Sequence, residues 1–191
     1  MYNDFDNDLF ERRIRAKRIF KEYNKTDDSE VDKRRKLLTE LCGSIGKNVW
    51  IEPDFRCEFG SNISIGNNVY INFGCIILDC AEVHIGDNTL LGPNIGIYAV
   101  NHSIDAEERI NGGCTGKPVY IGNKVWLGGD VKIMAGVTIG DESIVGAGSV
   151  VTKDIPSGVV AAGNPCRVIR KITANDKTAD HTQDSCLERT R

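Results

Sequence analysis

The sequence predicts a parallel β-helix, a prism of short strands and corners, preceded by a helical segment. All 20 glycines of the 191 residues lie between Gly43 and Gly163, about one in six of that window. Glycine at this density argues against a helical bundle, because it costs about 1 kcal/mol relative to alanine inside a helix. Aliphatic residues recur there in steps of six, a period that neither an amphipathic helix nor a continuous strand has.

Residues 1–42 predict two charged helices. Half of this segment is charged, and its apolar residues fall at helical spacing: Leu9, Phe10, Ile14, Ile19, Phe20 and Tyr23. After a polar break at residues 24–28, Ser29 and Asp32 resemble a capping box that opens a second helix. That helix has Val31, Leu37, Leu38 and Leu41 on one side. The dense charge indicates solvated helix faces rather than a binding surface.

Residues 43–172 contain a repeat that predicts the prism. The dipeptide Ile-Gly recurs after 20, 20, 36 and 18 residues, beginning at Ile45, Ile65, Ile85, Ile121 and Ile139. Three sides of six residues make a coil of 18, and such coils stack about 4.8 Å apart with parallel hydrogen bonding. The steps of 20 therefore predict two-residue insertions in the early coils.

The later coils keep the six-residue period without interruption. Six aliphatic residues stand exactly six apart: Ile121, Leu127, Ile133, Ile139, Val145 and Val151. The fifth place of each hexad holds Val125, Val131, Val137, Ser143 or Ser149. We expect both sets to fill the interior of the prism, with glycine or asparagine at corners where a positive φ is needed.

Two segments depart from the repeat. Residues 103–118 break its phase with a polar, glycine-containing stretch, which predicts a loop extruded from the prism, and such loops are often functional. Residues 173–191 are polar and lack glycine, so we expect this tail to cap the last coil and then fray.

The overall composition narrows the class of function. A net charge of −3 and a pI near 5.7 give no reason to expect nucleic acid as a partner. No apolar run approaches the roughly 18 residues of a membrane span. The seven cysteines form an odd set without a Cys-x-x-Cys motif, which indicates reduced thiols and a cytoplasmic location.

Beyond the repeat, longer motifs resemble the hexapeptide-repeat acetyltransferases, specifically the maltose, galactoside and nodulation O-acetyltransferase group. The resemblance runs from about residue 10 to residue 172. It is carried by residues 70–73 (YINF), 83–88 (VHIGDN), 101–103 (NHS), 117–129 (KPVYIGNKVWLGG), 136–140 (GVTIG), 146–154 (GAGSVVTKD) and 163–169 (GNPCRVI), and by 15–24 near the N-terminus.

The resemblance implies properties that spacing alone does not. It implies a left-handed β-helix, a homotrimer with active sites between neighbouring subunits, and acetyl-CoA as the acetyl donor. The implied acceptor is a sugar hydroxyl, of the maltose or glucose type or of the galactoside type.

A histidine is the expected general base, because a sugar hydroxyl has a pKa far above 7 and imidazole accepts protons near neutral pH. The chain has three histidines, His84, His102 and His181. His102 lies where the hexads give way to the extruded loop, and it matches the catalytic histidine of the family. We therefore expect direct attack of the acceptor on acetyl-CoA without an acyl-enzyme. His84 should point into solvent, and His181 lies in the polar tail.

The resemblance also implies acceptor-binding residues. Asn72 matches an asparagine of the family's acceptor pocket, and Glu22 corresponds to an acidic residue in its N-terminal helix. Two positions depart from the galactoside enzymes. Cys80 stands where they have an acidic residue, with Asp79 beside it, and Glu58 stands where they have a serine. These departures put galactoside specificity in doubt.

For acetyl-CoA, the resemblance implies a groove between two prisms. It places Gly129, Ala147 and Thr152 beside the pantetheine arm and Trp126 at the thioester end. Three basic residues could hold the phosphates: Lys153, Arg167 and Arg170.

Three other interpretations remain open. The same fold and base could acetylate a xenobiotic or an amino compound. A β-helix that has lost catalysis could serve as an interaction scaffold. A zinc-dependent carbonic anhydrase would need three imidazoles on the metal, and only His84 and His102 lie one nominal coil apart. We expect no metal.

Overall fold

The computed structural model describes residues 2–177, and within this range the chain forms a three-sided parallel β-helix with two helices in front of it. The expectation of a fraying tail and the residue His181 fall within 178–191, outside the described residues. None of the helices in the described part of the chain is long and apolar enough to cross a membrane.

Each side of the prism is one parallel sheet, and the chain visits the three sides in turn. Face 1 consists of β2 (Ser44–Ile45), β5 (Ile63–Ile65), β8 (Val83–Ile85), β13 (Val119–Ile121) and β16 (Thr138–Ile139). Face 2 consists of β3 (Trp50–Ile51), β6 (Tyr70–Ile71), β9 (Leu90–Leu91), β14 (Trp126–Leu127), β17 (Ile144–Val145) and β19 (Val159–Ala162). Face 3 consists of β4 (Arg56–Cys57), β7 (Ile76–Leu78), β10 (Gly96–Tyr98), β15 (Lys132–Ile133) and β18 (Val150–Val151).

The strand register confirms the predicted coil lengths. Ile45 pairs with Ile65 and Ile65 with Ile85, steps of 20 residues. Ile85 then pairs with Ile121, and Ile121 with Ile139, a step of 18. The step of 36 therefore spans one coil and the segment that leaves the prism.

The interior is filled as the hexad pattern predicts. All six aliphatic residues that open the later hexads are at most 3% exposed, and so are all five residues at the fifth places. The two serines among them keep their hydroxyls bonded inside the wall: Ser143 donates to the carbonyl of Pro156 and Ser149 to that of Gly146. Burial of a serine is therefore compatible with the core.

The corners between face 1 and face 2 use asparagine and glycine for different reasons. Asn48, Asn68 and Asn88 take positive φ values of 54°, 55° and 56°, and their amides bond to one another at 3.0 Å. The glycine of each Ile-Gly pair is required by close approach instead. A Cβ at Gly86 would lie 2.6 Å from the backbone of Gly122 in the next coil. The expectation that glycine or asparagine takes a positive φ at corners is confirmed by these asparagines and by other glycines such as Gly74 and Gly136. The glycines of the Ile-Gly pairs are not among the positive-φ residues.

Helices α1 (Asn7–Tyr23) and α2 (Val31–Leu41) close the first coil. Helix α1 runs beside β4 in the opposite direction. Near the start of the helix Arg13 pairs with Glu58, just after β4, and past its end Asn24 bonds to the carbonyl of Phe55 at 2.8 Å, just before β4. The two ends of the helix are thus tied to the two corners that bound face 3.

The start of α2 differs from the expected capping box. Glu30 occupies the N-cap position, but its side chain makes no capping bond and instead accepts the backbone N–H of Asp27. The Ser29 hydroxyl donates to Asp27 in the preceding turn. Val31 is 56% exposed, whereas the three leucines expected on its side are buried. On α1, Phe10 and Ile14 likewise stay exposed.

The predicted extruded loop is present, but it contains regular structure. The chain leaves the prism through β11 (Val100–His102), forms α3 (Ala106–Ile110) and returns through β12 (Gly113–Gly116). β12 pairs antiparallel with β11 and with β1 (Tyr2–Asn3) at the N-terminus. After the last coil, β20 (Arg167–Lys171) folds back antiparallel on β19, and a short 3-10 helix follows (Ala174–Asp176).

Candidate active site

His102 ends β11 at the corner between face 3 and face 1, and its side chain is exposed. The residue directly across the β11–β12 pair is Cys114. The Nδ1 atom of His102 lies 3.0 Å from the Cys114 sulfur, whereas no group among residues 2–177 bonds to its Nε2. The ring is thus held by one nitrogen and presents the other, as a general base requires.

A buried cluster lies behind the imidazole. The Cys114 side chain is 1% exposed, and burial raises the pKa of its thiol. The Tyr2 hydroxyl faces the thiols of Cys80 and Cys114, and it is buried without a hydrogen bond of good geometry. Burial likewise raises the pKa of Cys80 to about 11. Both thiols are therefore neutral at physiological pH.

A charged cluster flanks the same corner, and sequence reasoning missed two of its members. Arg13 forms ion pairs with Asp4 and with Glu58 and also donates to the Asp4 carbonyl at 2.9 Å. The Asp4 backbone N–H in turn bonds to the carbonyl of Gly112 in the extruded segment at 2.9 Å. Asp4 and Arg13 lie far from Glu58 and His102 in sequence, so no local motif could have joined them.

Two expected acceptor ligands lie elsewhere. Asp79 is fully buried, and its carboxylate accepts backbone N–H bonds from Glu58, Phe59 and Asn62 at 2.9–3.2 Å. Because its lone pairs face this turn, Asp79 holds the corner together and does not face an acceptor. Its expected role was wrong. Glu22 is exposed near the end of α1, the end tied to the opposite corner of face 3, so it does not join the His102 group.

Asn72 also lies at that opposite corner, directly after β6, between face 2 and face 3. Its side-chain oxygen accepts the N–H of Phe73 at 2.8 Å, as a corner asparagine does. Phe73 beside it is 56% exposed. The width of face 3 therefore separates Asn72 from His102 within one chain.

The residues expected to bind acetyl-CoA divide between the same two corners. Gly129 and Ala147 follow β14 and β17 at the face 2–face 3 corner, above Asn72. Gly148, next to Ala147, donates to the Gly129 carbonyl at 2.9 Å, so this part of the corner forms one column. Thr152 and Lys153 follow β18 at the face 3–face 1 corner, which is the corner of His102, and both are exposed.

The remaining cofactor residues line face 2 and its end. Trp126 points outward from β14 and is 52% exposed, beside Leu90 and Ile144 of the neighbouring strands. Arg167 and Arg170 are both exposed on β20. Arg170 makes a bidentate ion pair with Asp176 at 2.6 and 2.8 Å, which lowers the pKa of that carboxyl to about 2. Its guanidinium therefore already has an anionic partner.

His84 lies apart from these groups. It points outward from face 1, as expected, stacks on Tyr120 with 4.9 Å between ring centroids, and contacts Glu82 at 3.0 Å. It does not stack with His102, so the arrangement suggested by their spacing is absent. Across residues 2–177 no group of three or more His, Cys, Asp or Glu side chains is arranged to hold a metal ion.

Comparisons with known proteins agree with this architecture. Residues 1–46 match the maltose acetyltransferase hexapeptide capping motif, and residues 118–153 match the bacterial transferase hexapeptide family with six repeats. The chain is 48% identical to the galactoside O-acetyltransferase of Escherichia coli over 177 residues, covering 93% of this chain and 87% of the relative.

Solved structures give the same result. A galactoside acetyltransferase in complex with coenzyme A superposes with a TM-score of 0.88 and 48% identity, covering 92% of this chain and 88% of that one. A maltose O-acetyltransferase from Clostridium difficile also gives a TM-score of 0.88 and 48% identity, covering 90% and 92%. The fold is thus the expected left-handed β-helix, and the chain belongs to the hexapeptide-repeat acetyltransferases, in the group of acetyl-CoA-dependent galactoside and maltose O-acetyltransferases.

Proposed function

We propose that the protein transfers the acetyl group of acetyl-CoA to a hydroxyl of a sugar, of the maltose or glucose type or of the galactoside type, with His102 as general base. The observation that carries this proposal is the state of the imidazole. Its Nδ1 is anchored on Cys114 at 3.0 Å, and its Nε2 is free at an exposed corner of the prism.

In the proposed reaction, Nε2 of His102 removes the proton from the acceptor hydroxyl as its oxygen attacks the thioester carbonyl. The new C–O bond forms, the C–S bond of acetyl-CoA breaks, and the proton on the imidazole passes to the departing thiolate. No acyl-enzyme is required. Such transfer works only if both substrates are held within about 3–3.5 Å of each other.

We place this site between subunits of a homotrimer. What supports this is the division of the candidate residues between the two corners that bound face 3. One set holds Asn72, Gly129 and Ala147, and the other holds His102, Thr152 and Lys153. A cyclic assembly in which the first corner of one prism meets the second corner of its neighbour unites them.

Acetyl-CoA would lie in the groove formed by these two corners. The small side chains of Gly129 and Ala147 leave room for the pantetheine arm, and the exposed Trp126 stands on the adjoining face. Lys153 and Arg167 supply positive charge for the phosphates, and Arg170 can join them by releasing Asp176. The six described cysteines are all free thiols, which agrees with work in the cytoplasm.

The test compares His102→Ala with His84→Ala as the matched control. Product formed from acetyl-CoA and a panel of glucose, maltose, galactosides, amino sugars and hydroxyl-bearing antibiotics is followed by mass, because thiols of the protein would disturb thiol-reagent assays. We expect His102→Ala to lower kcat by about 10²–10⁴-fold and His84→Ala to leave it unchanged. Unchanged turnover in His102→Ala would remove this base, and transfer to amines alone would replace the sugar by an amino acceptor.

A further inference from the structure

The imidazole of a general base must hold its proton on the nitrogen that does not face the substrate. For His102 the anchored nitrogen is Nδ1, and its neighbour is a sulfur rather than the carboxylate or carbonyl oxygen that usually fixes a histidine tautomer. A thiol can act in two ways there, because it is both a weak donor and a weak acceptor. The direction of the thiol proton therefore decides whether His102 can work.

If the Cys114 S–H donated to Nδ1, the ring proton would lie on Nε2, and the imidazole could not accept a proton from an acceptor hydroxyl. If Nδ1–H donates to the sulfur, Nε2 keeps its lone pair. In the second arrangement the S–H turns away from the ring and is free to meet another acceptor. The candidate is the hydroxyl of Tyr2, which is buried, faces this thiol and that of Cys80, and makes no hydrogen bond that would occupy its lone pairs.

The backbone holds all three residues in register. Cys114 is the partner of His102 on one side and of Tyr2 on the other, in the sheet order β1-β12-β11. β1 itself is fixed by the ion pairs of Arg13 with Asp4 and Glu58. The thiol is 1% exposed, so water does not compete for its proton.

We propose that Cys114 is the positioning residue of the general base and that Tyr2 orients its proton, in the chain Nδ1–H···Sγ–H···Oη. This inference rests on the proposed function of His102. It assigns to the N-terminal strand a role in catalysis: β1 supplies the last acceptor of the chain. Burial raises the pKa of both the thiol and the phenol, so both keep their protons at neutral pH.

The test uses Cys114→Ala, Cys114→Ser and Tyr2→Phe, with Cys42→Ala as a control that removes another buried thiol. Their kcat and KM are measured, and the tautomer of His102 is read from two-bond ¹⁵N–¹H correlations in histidine-labelled protein. With three histidines in the chain, His84→Ala and His102→Ala assign the spectrum.

We expect Cys114→Ala to lower kcat about tenfold, the loss of one hydrogen bond of roughly 1–1.5 kcal/mol, with both KM values unchanged. Serine should restore most of the rate, since its hydroxyl can also accept from Nδ1 and donate to Tyr2. Tyr2→Phe should lower kcat less. In wild type the proton should lie on Nδ1, and both Cys114→Ala and Tyr2→Phe should move it toward Nε2. Cys42→Ala should change neither quantity.

Wild-type kcat and an unchanged ¹⁵N pattern in Cys114→Ala would overturn the inference. If that variant does not fold, the same two readings on Tyr2→Phe decide, because this change removes one hydroxyl and keeps the ring that packs in the cluster. An acetyl group found on Cys114 after incubation with acetyl-CoA alone would also overturn it, since the thiol would then be a nucleophile. An active His102→Ala would instead overturn the proposed function itself.

Discussion

A site shared between subunits can be tested by mixing two inactive variants. His102→Ala removes the base at one corner of face 3, and Asn72→Ala removes an amide at the other corner, one face width away. If each site takes His102 from one subunit and Asn72 from its neighbour, a heterotrimer of the two variants contains some sites in which both residues are intact. We therefore expect activity to return on mixing.

The magnitude follows from random assembly in a closed ring. In an equal mixture, a site has an intact His102 with probability one half and an intact neighbouring Asn72 with probability one half, so about a quarter of sites are native. The matched control mixes wild type with the double variant His102→Ala/Asn72→Ala, and it should also give about a quarter. A site contained within one subunit predicts instead no recovery in the first mixture and about one half in the control.

The assay is acetyl transfer after co-refolding two differently tagged chains, measured on the whole mixture, to which the expected quarter applies. Trimers of the two single variants purified through both tags should instead have one native site in three. Each single variant must first show at least a tenfold loss alone. If Asn72→Ala is too active, Ala147→Trp replaces it, because a bulky side chain at that exposed corner position would fill the proposed groove. No recovery in the first mixture, together with one half in the control, would refute the site between subunits.

Three further predictions concern single features. Asp176→Asn should free Arg170 and lower the KM for acetyl-CoA about two- to five-fold, the range of an exposed ion pair, and the double variant with Arg170→Ala should lose this gain. Ile133→Ala, at a fully buried position, should lower the free energy of unfolding by about 2–5 kcal/mol in urea melts, whereas Lys36→Ala, at an exposed position of α2, should change it by less than about 0.5 kcal/mol. The free energy of unfolding should fall as the pH rises above 9. Burial raises the pKa of Cys42 to about 12 and that of Cys75 to about 11, so these thiols lose their protons in the unfolded chain at a lower pH than in the folded protein. Each thiol then lowers the free energy of unfolding by up to about 1.4 kcal/mol per pH unit, and a constant value up to pH 11 would contradict this.

The prism was predictable because its determinants are local and periodic. Each coil repeats the same six-residue pattern of buried and exposed positions around one interior. The six-residue spacing from Ile121 to Val151 therefore identified the buried residues. Positive φ explains corner glycines such as Gly74 and Gly136, as expected, but the glycines of the Ile-Gly pairs have a second reason that the sequence did not show. A sequence shows that Gly86 follows Ile85, but only the stacked coil above it shows that a Cβ there would meet the backbone of Gly122.

The candidate site was predictable only in part, because its members come from distant segments. His102 could be found, since the repeat breaks beside it. The ordered structure of the extruded segment could not, because β12 is completed by β1, about 110 residues earlier in the chain. Asp79 shows the opposite error. An acidic residue beside a suspected site suggests that it binds the acceptor. In the structure the carboxylate of Asp79 instead accepts hydrogen bonds from three backbone N–H groups of the turn at 58–62.

The two departures from the galactoside enzymes acquire a physical meaning from these contacts. Glu58 does not add a free negative charge beside His102, because Arg13 pairs with it and with Asp4 at once. Arg12 lies over the same Phe59 ring as Arg13, so two carboxylates and two guanidinium groups balance in this cluster, and Cys80 adds no charge while its thiol is neutral. Glu58→Gln removes one of the two negative charges and leaves both arginines in place. Because the cluster then carries a net positive charge, this variant should improve transfer to an acidic sugar relative to its neutral counterpart.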